Sequence, residues 1–168
     1  KAKIIHPISN EMALNFISSN NLTKCVPISE SASNLFLKFK VVNKIPNSIF
    51  YHGSLSSNRR IDFLINVMKK VNAVNKKAKL FVLGWEENKG DLKKLKSYSV
   101  KKGLSDNISF LGRVSFDKVA SIISRAELGV IPVPPTDFFR VSTSTKMVEY
   151  MSLGIPVVVN SEIYDQNY

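Results

Sequence analysis

The chain has 168 residues, of which 44% are hydrophobic, and these values are typical of one folded domain with a sizeable core. Its formal net charge is +11, which is compatible with a solvated basic surface, with attraction to anionic lipid head groups or with nucleic acid. The sequence contains no zinc-finger, RNA-recognition or helix-turn-helix signature, so nucleic acid is the weaker of these partners and we expect none.

The cysteine and histidine content argues against a disulfide framework and a zinc site. Cys25 is the only cysteine, so no disulfide can form within the chain, which is compatible with a reducing compartment. Only two histidines, His6 and His52, could bind zinc together with Cys25, so we expect no zinc site. No apolar run approaches the roughly 20 residues that a transmembrane helix needs. We therefore expect a cytoplasmic location, with peripheral contact at the inner face of an anionic membrane through the lysine-rich surface.

The first part of the chain is expected to lie outside the main domain. Its pattern predicts a strand at Lys3–Ile8, a helix at about Asn10–Asn20 and a short strand at Lys24–Ile28. Residues 26–47 are expected to form an irregular connector whose apolar patch packs on one side: Leu35, Phe36, Leu37 and Phe39. Residues 48–168 are expected to form the main domain.

From Ser48 onward the sequence alternates between short apolar strands and amphipathic helices. The predicted strands are Ser48–His52, Lys79–Leu83, Asn107–Leu111, Leu128–Ile131 and Val157–Val159. The helices predicted between them begin at about Arg59, Gly90, Ser115 and Ser144. This alternation predicts a doubly wound α/β fold with a mostly parallel, Rossmann-like sheet.

Several strand ends are expected to meet at one rim of the sheet. In open parallel sheets, ligands bind beyond the carboxyl ends of the strands. Gly53, Gly84, Gly112 and the loop Pro132–Arg140 all follow strands there. The glycines could serve only as turn residues, but their convergence on one rim indicates a binding edge.

The segment Ser142–Val159 carries the strongest site pattern. Four successive hydroxyls, ending at Thr145, mark a helix start, which is a favourable place for an anion. Glu149, about one turn further on, points back toward that start and could hold two sugar hydroxyls. Gly154 is expected to end the helix, and Val157–Val159 to form a strand covered on both faces. An ordinary αβ unit with a solvated glutamate is the alternative.

Other residues near the rim are less decisive. The loop after Gly53 matches neither a dinucleotide fingerprint nor a Walker loop, but Arg59 and Arg60 follow it and are suited to phosphate. His6 and His52 are expected to be structural. After Pro135, three further residues could anchor the loop or contact a sugar: Asp137, Phe138 and Phe139.

These segments together resemble the C-terminal domain of the group 1 glycosyltransferases, which are retaining enzymes with two Rossmann-like domains facing across a cleft (the GT-B architecture). The blocks that carry the resemblance occur in order: Val26–Ser29 with Phe36, Tyr51–Leu55 with Arg60, Leu80–Gly84, Ile108–Gly112, Ser144–Met151 and Gly154–Val158. The resemblance implies that residues 1–25 are the tail of the acceptor domain and that the chain stops at Tyr168, short of the family's last strand and closing helices.

The resemblance also implies a donor site for a nucleoside-diphosphate sugar. Arg60 and the helix start at Ser144–Lys146 would hold the diphosphate, Glu149 the ribose and the Ile108–Val114 region the base. The full set of implied donor-binding residues is Gly53, Ser54, Arg60, Gly84, Ile108, Gly112, Arg113, Ser144, Thr145, Lys146 and Glu149.

Two positions depart from the family pattern. Val141 stands where many members have a second glutamate that holds the donor sugar, and Ser54 stands where many have an arginine. Asp137 is a candidate substitute for the missing carboxylate. The implied function is transfer of a sugar, with retention, to a glycan or lipid-linked acceptor in polysaccharide or lipopolysaccharide synthesis, with no metal, no cofactor and no catalytic residue assigned.

Alternatives from other classes remain open at this stage. A non-catalytic Rossmann-like module could dock to membrane or nucleic acid through its basic surface. An epimerase of similar architecture could act on a sugar nucleotide. The isolated fragment is expected to bind donor and to transfer poorly, because the acceptor domain would be missing.

Overall fold

The computed structural model describes residues 12–14, 17, 28, 31–39, 43–140 and 144–162. Most of the elements predicted before position 30 lie outside these residues, including the strand Lys3–Ile8. Met12–Leu14 are helical, in agreement with the helix predicted there.

The described elements follow the predicted alternation. The strands are β1 (Ser48–His52), β2 (Lys79–Leu83), β3 (Ile108–Gly112), β4 (Leu128–Ile131) and β5 (Val157–Val159). The helices are α1 (Asn34–Lys38), α2 (Ile61–Val74), α3 (Asp91–Lys101), α4 (Phe116–Ile123), α5 (Asp137–Arg140) and α6 (Thr145–Ser152), with a 3-10 turn at Ser57–Arg59 before α2. The bounds of β1, β2, β4 and β5 match the prediction, and β3 begins one residue later.

The five strands form one parallel sheet in the order β3-β2-β1-β4-β5. The chain builds outward from β1 to β3 and then crosses back to β4. This reversal of direction between β1 and β4 is the place where ligands bind in doubly wound folds. The predicted Rossmann-like α/β fold is therefore confirmed.

The core lies on both faces of the sheet because successive strand residues point to opposite sides. Tyr51 packs with Ile65 and Met68 of α2, whereas Phe50 packs with α1, α4 and α6. Neighbouring side chains of β1 therefore pack against helices on opposite faces of the sheet.

Three expectations about local structure need correction. The connector is not wholly irregular, since α1 begins with the Ser33 side chain accepting from the Leu35 amide and places Phe36 in the core. The loop after β4 contains the short helix α5. Strand β5 is not covered on both faces, because Val158 is 56% exposed at the edge of the described sheet.

Helix α6 ends as its sequence predicts. Gly154 has a φ of 65°, and its amide donates to the Met151 carbonyl at 2.9 Å. The Ile155 amide donates to the Tyr150 carbonyl at 3.0 Å, and the Ile155 side chain is buried in the core. This is a Schellman motif with its apolar contact, and it fixes the direction in which the chain enters β5.

Candidate functional site

A cavity of about 240 Å³ opens at the predicted rim, where β1, β2 and β3 end beside the start of α6. Its walls combine glycines, cations, one carboxylate and apolar side chains. The lining residues are His52, Gly53, Leu83, Gly84, Trp85, Arg113, Val114, Phe116, Val119, Thr145, Lys146 and Glu149.

Glycines bring the backbone close to this cavity. A Cβ on Gly84 would collide with the Gly53 carbonyl oxygen, and a Cβ on Gly53 would collide with Cε of Lys146. Gly53 also has a φ of 138°, which side chains rarely allow. The Gly53 amide donates to the Leu83 carbonyl, and the Gly84 amide to the Gly112 carbonyl, each at 2.9 Å. Glycine is therefore required at Gly53 and Gly84 for close packing of the three strand ends and the Lys146 side chain.

Glu149 lies in the wall of the cavity and is only 7% exposed, so the alternative of a solvated glutamate is wrong. Its Oε2 atom is 2.6 Å from Nε2 of His52, which is also 7% exposed. His52 stands at the end of β1 and Glu149 in the second turn of α6. Their contact therefore connects the strand end to the helix that forms the opposite side of the cavity.

The surroundings of His52 favour a neutral imidazole. Burial lowers the pKa of His52; the contact with Glu149 acts in the opposite direction, and Lys146 acts with burial. A neutral imidazole has one N–H group, and a carboxylate can only accept. Nε2 therefore donates to Glu149, while Nδ1 is buried with no hydrogen-bond partner among the described residues.

The start of α6 has the form expected of an anion site. The Ser144 carbonyl accepts from the Met147 amide at 2.9 Å, which opens the helix. The Ser144 side chain makes no capping hydrogen bond, and Ser142 and Thr143 lie outside the described residues. Thr145 is exposed, and the half-buried Lys146 crosses over Gly53. Positive charge and a helix start thus lie on one side of the cavity.

The far side of the cavity carries a cation over an aromatic ring. The Arg113 guanidinium lies 5.6 Å from the ring centroid of Trp85, and both residues line the cavity. Arg113 was predicted from the sequence, whereas Trp85 was missed. Its position directly after the strand-ending Gly84 was the signal that could have identified it.

The two adjacent arginines have different environments. Arg60 adopts a left-handed conformation with a φ of 51°, is exposed, and contacts Asp62 and Phe63. It does not line the rim cavity; it faces a cavity of about 740 Å³ between α2 and α3. Arg59 instead lies 5.1 Å over the ring of Phe139. It also lies near Tyr51, where its charge opposes the rise in the Tyr51 pKa that burial causes.

Three further residues that were predicted to bind the donor have different positions in the structure. Gly112 ends β3 at the rim, whereas Ser54 is buried and its carbonyl accepts from the Tyr51 hydroxyl at 2.6 Å. Ile108 is the first residue of β3, so it lies at the amino ends of the strands, away from the rim, and is buried in the core. The predicted contact between Ile108 and a base is therefore wrong. The error arose because only the carboxyl end of a strand reaches the rim.

The predicted sugar-contact loop is partly structural. Phe139 is buried with Ile131, Val133 and Met147, and this contact anchors the loop. It also lines a second cavity, of about 270 Å³, together with Arg59. Asp137 is exposed at the start of α5 and lines neither cavity. The Phe138 side chain, which was also predicted to contact a sugar, lies outside the part of the chain that the structure describes.

A cavity with Lys146 and Arg113 on two sides and one carboxylate between them suits an anionic ligand that also carries hydroxyl groups. No group of three metal-ligating side chains occurs among the described residues.

Residues 46–164 match the family model described as "Glycosyl transferases group 1". The chain belongs to the group 1 glycosyltransferase family. No curated protein matched in the corresponding search.

Solved glycosyltransferase structures share the fold at low sequence identity. A mutant of TarM from S. aureus, solved with fondaparinux, α-GlcNAc-glycerol and UDP, is 17% identical, with a TM-score of 0.72 over 96% of this chain and 30% of that chain. HepE from Anabaena, solved with UDP and glucose, is 18% identical, with a TM-score of 0.71 over 94% of this chain and 44% of that chain. Sucrose-phosphate synthase from Thermosynechococcus elongatus is 16% identical, with a TM-score of 0.76 over 96% of this chain and 41% of that chain.

This glycosyltransferase chain therefore spans less than half the length of each of these structures. The predicted resemblance to one half of the GT-B architecture is confirmed.

Proposed function

We propose that this chain holds the donor site of a retaining glycosyltransferase. The site binds a nucleoside-diphosphate sugar, and the whole enzyme transfers the sugar to a glycan or lipid-linked acceptor in polysaccharide or lipopolysaccharide synthesis. The observation that carries the proposal is the rim cavity, where Lys146, Arg113 and Glu149 converge around Gly53 and Gly84.

The diphosphate is assigned to the side of the cavity next to α6. Lys146 crosses over Gly53, whose lack of a side chain allows close approach. The helix start adds partial positive charge. Neither of the two adjacent arginines lines the rim cavity itself. Arg59 is our candidate for a second phosphate contact because its charge acts on Tyr51, two residues before Gly53, whereas Arg60 lines two other cavities beside α2.

The nucleoside is assigned to the remaining walls. Glu149 accepts from ribose hydroxyls, since a carboxylate is an acceptor-only group. Arg113, Trp85 and Val114 flank the base. The donor sugar then lies toward the loop after β4, where Asp137 is the candidate substitute for the carboxylate replaced by Val141.

The chemistry assigned to this half of the enzyme is positioning and charge stabilisation. Negative charge develops on the diphosphate as the bond to the sugar breaks. Lys146 and the amides at the start of α6 stabilise that charge, because preorganised donors are strongest where the charge forms. No metal is needed for this role. The acceptor is held by the part of the enzyme beyond this chain.

The comparisons support this assignment at the level of ligand class. The TarM and HepE structures described above contain UDP, so the same family fold accommodates a nucleoside diphosphate in those proteins. An epimerase of the same architecture would convert the sugar nucleotide without an acceptor, and product analysis of the whole enzyme distinguishes the two reactions.

Calorimetric titration of UDP, GDP and ADP into the chain tests the donor site. We expect saturable binding of at least one of them. Lys146→Ala is expected to weaken it by ~10- to 100-fold, because a hydrogen bond to a charged group contributes about 1.5–3 kcal/mol. Lys94→Ala, which removes a lysine from the cavity between α2 and α3, is the matched control and is expected to leave binding unchanged.

The adjacent arginines supply a second matched pair. Arg59→Ala is expected to weaken binding, and Arg60→Ala to leave it within about twofold. Absence of saturable binding, or equal effects of Lys146→Ala and Lys94→Ala, contradicts the proposed site.

We also propose that the basic surface contacts an anionic membrane. Two loops at the edge of the sheet opposite the cavity lie side by side, since Nζ of Lys79 donates to the Asp106 carbonyl at 3.2 Å. Lys76, Lys77 and Lys102 lie in these loops, and Lys79 and Lys101 occupy the adjoining ends of β2 and α3. Val74 is 92% exposed beside them, and exposed apolar groups among cations suit a lipid surface. None of the described helices could itself cross a bilayer.

Co-sedimentation with vesicles tests this contact. Binding to vesicles that contain phosphatidylglycerol, and its loss when Lys76 and Lys77 are both changed to glutamate, is the expected result. Equal sedimentation with vesicles of phosphatidylcholine alone contradicts it.

A further inference from the structure

His52 and Glu149 form a contact that the donor-site assignment above does not use. The two side chains come from segments 97 residues apart and meet at 2.6 Å in the cavity wall. Both are almost fully buried. Because Oε2 of Glu149 is held by His52, the carboxylate cannot rotate freely, and its orientation toward the cavity depends on β1.

The histidine is not what packing alone would select at this position. Its ring meets Tyr150 edge-on, with centroids 4.8 Å apart, a contact that phenylalanine could also make. Unlike phenylalanine, it leaves Nδ1 buried with no partner among the described residues, and such an atom is unfavourable. The group that offsets this cost is Nε2, whose hydrogen-bond partner among the described residues is Glu149.

We propose that His52 is a positioning residue that fixes Glu149 for recognition of ribose. Nε2–H of His52 donates to one oxygen of Glu149 and keeps the carboxylate directed at the sugar hydroxyls of the nucleotide. The site thereby favours ribonucleotides over 2′-deoxyribonucleotides. This inference rests on the proposed donor site, because it takes the occupant of the cavity to be a nucleoside diphosphate.

The alternative is that His52 only stabilises the fold. Loss of a purely structural contact would weaken ribose and deoxyribose ligands by the same factor. Loss of an oriented carboxylate weakens chiefly the ligand that has the additional hydroxyl. The ratio of the two affinities therefore separates positioning from folding.

Two variants make the test sharp. His52→Phe keeps the ring and its packing against Tyr150 but removes the donor. His52→Gln supplies an amide N–H at similar reach, without an ionisable ring. Thermal unfolding of both variants shows whether they fold, and each is compared with the unmodified chain.

The experiment is a calorimetric titration of UDP and dUDP, GDP and dGDP, and ADP and dADP into the three proteins. For the nucleotide pair that binds, we expect the unmodified chain to prefer the ribose form by ~10-fold or more, since a hydrogen bond to a carboxylate contributes about 1.5–3 kcal/mol. His52→Phe is expected to reduce this preference to about threefold or less, mainly by weakening the ribose form. His52→Gln is expected to restore most of it.

The outcomes distinguish the two proposals. If no nucleoside diphosphate binds the unmodified chain, the donor site itself fails, and this inference fails with it. If binding is present but His52→Phe keeps the full preference for ribose, only the positioning role is overturned. The same conclusion follows if His52→Phe and His52→Gln weaken both members of a pair equally.

Discussion

His52 contributes both to the candidate site, through its contact with Glu149, and to the stability of the fold, through its burial. The sequence alone gave no reason to prefer a functional role for it, because an isolated histidine beside a glycine turn has no visible partner. Its partner Glu149 lies 97 positions away and is brought to it only when β1 and α6 pack together. Contacts of this kind depend on tertiary structure and cannot be predicted from local patterns.

Burial of His52 predicts a dependence of stability on pH. The folded state lowers its pKa below the ordinary value of 6.5, so between the two pKa values the unfolded chain binds more protons. The stability contribution is fully present above about pH 6.5 and is lost as the pH falls toward the folded-state pKa. We expect the melting temperature to fall between pH 7 and pH 5, and to fall less in His52→Gln. An identical pH dependence in the two proteins contradicts this assignment.

Gly84 gives a second prediction at the residue scale. A Cβ there would collide with the backbone carbonyl of Gly53, and backbone atoms cannot move aside as a flexible side chain can. Gly84→Ala is expected to destabilise the chain by about 1–3 kcal/mol, as overpacking does, and to weaken nucleotide binding. Gly103→Ala is the comparison, because a Cβ there meets nothing within 4 Å, although its φ of 72° still adds strain. Equal stability of Gly84→Ala and the unmodified chain in urea unfolding would refute the close approach.

At the scale of elements, α6 is held to the sheet by Tyr150. Its hydroxyl donates to the Phe50 carbonyl at 2.9 Å, and its ring lies against Gly129 of β4, where no Cβ would fit. The helical spacing of Met147, Tyr150 and Met151 predicted a helix here, but not that Met151 would be exposed and Tyr150 fully buried. Periodicity predicts that a helix has an inward face, whereas the neighbouring glycine decides which side chain reaches deepest.

Removing the Tyr150 hydroxyl tests this anchor. Tyr150→Phe keeps the ring and is expected to lower the free energy of unfolding by about 1 kcal/mol, typical for loss of one buried hydrogen bond. Since α6 also carries Lys146 and Glu149, a small loss of nucleotide affinity is expected as well. Chemical denaturation provides the measurement. Tyr98→Phe, which removes a part-buried hydrogen bond to Asn66, is the control and is expected to have a smaller effect than loss of the fully buried bond of Tyr150.

At the scale of the whole molecule, much of the fold could be predicted from the sequence because the strands share one pattern, a short apolar run between polar or turn residues. Four strands have their predicted bounds, because each β-branched or aromatic run ends at a glycine, proline or polar residue. Convergence of Gly53, Gly84 and Lys146 followed from the rule that parallel strands share a rim. The placement of two predicted residues has a physical cause: Arg60 takes a left-handed conformation at the helix entry and does not line the rim cavity, and Ile108 lies in the core at the amino end of its strand. Neither the backbone conformation nor the direction of a side chain is visible in spacing alone.

The most direct test of the donor site is a crystal structure of the chain with the nucleoside diphosphate that binds most tightly. We predict that the diphosphate lies against Gly53, Lys146 and the start of α6, that the ribose hydroxyls lie within hydrogen-bonding distance of Glu149, and that the contact between His52 and Glu149 is retained. A nucleotide bound instead in the cavity between α2 and α3, with the rim empty, would contradict the central claim.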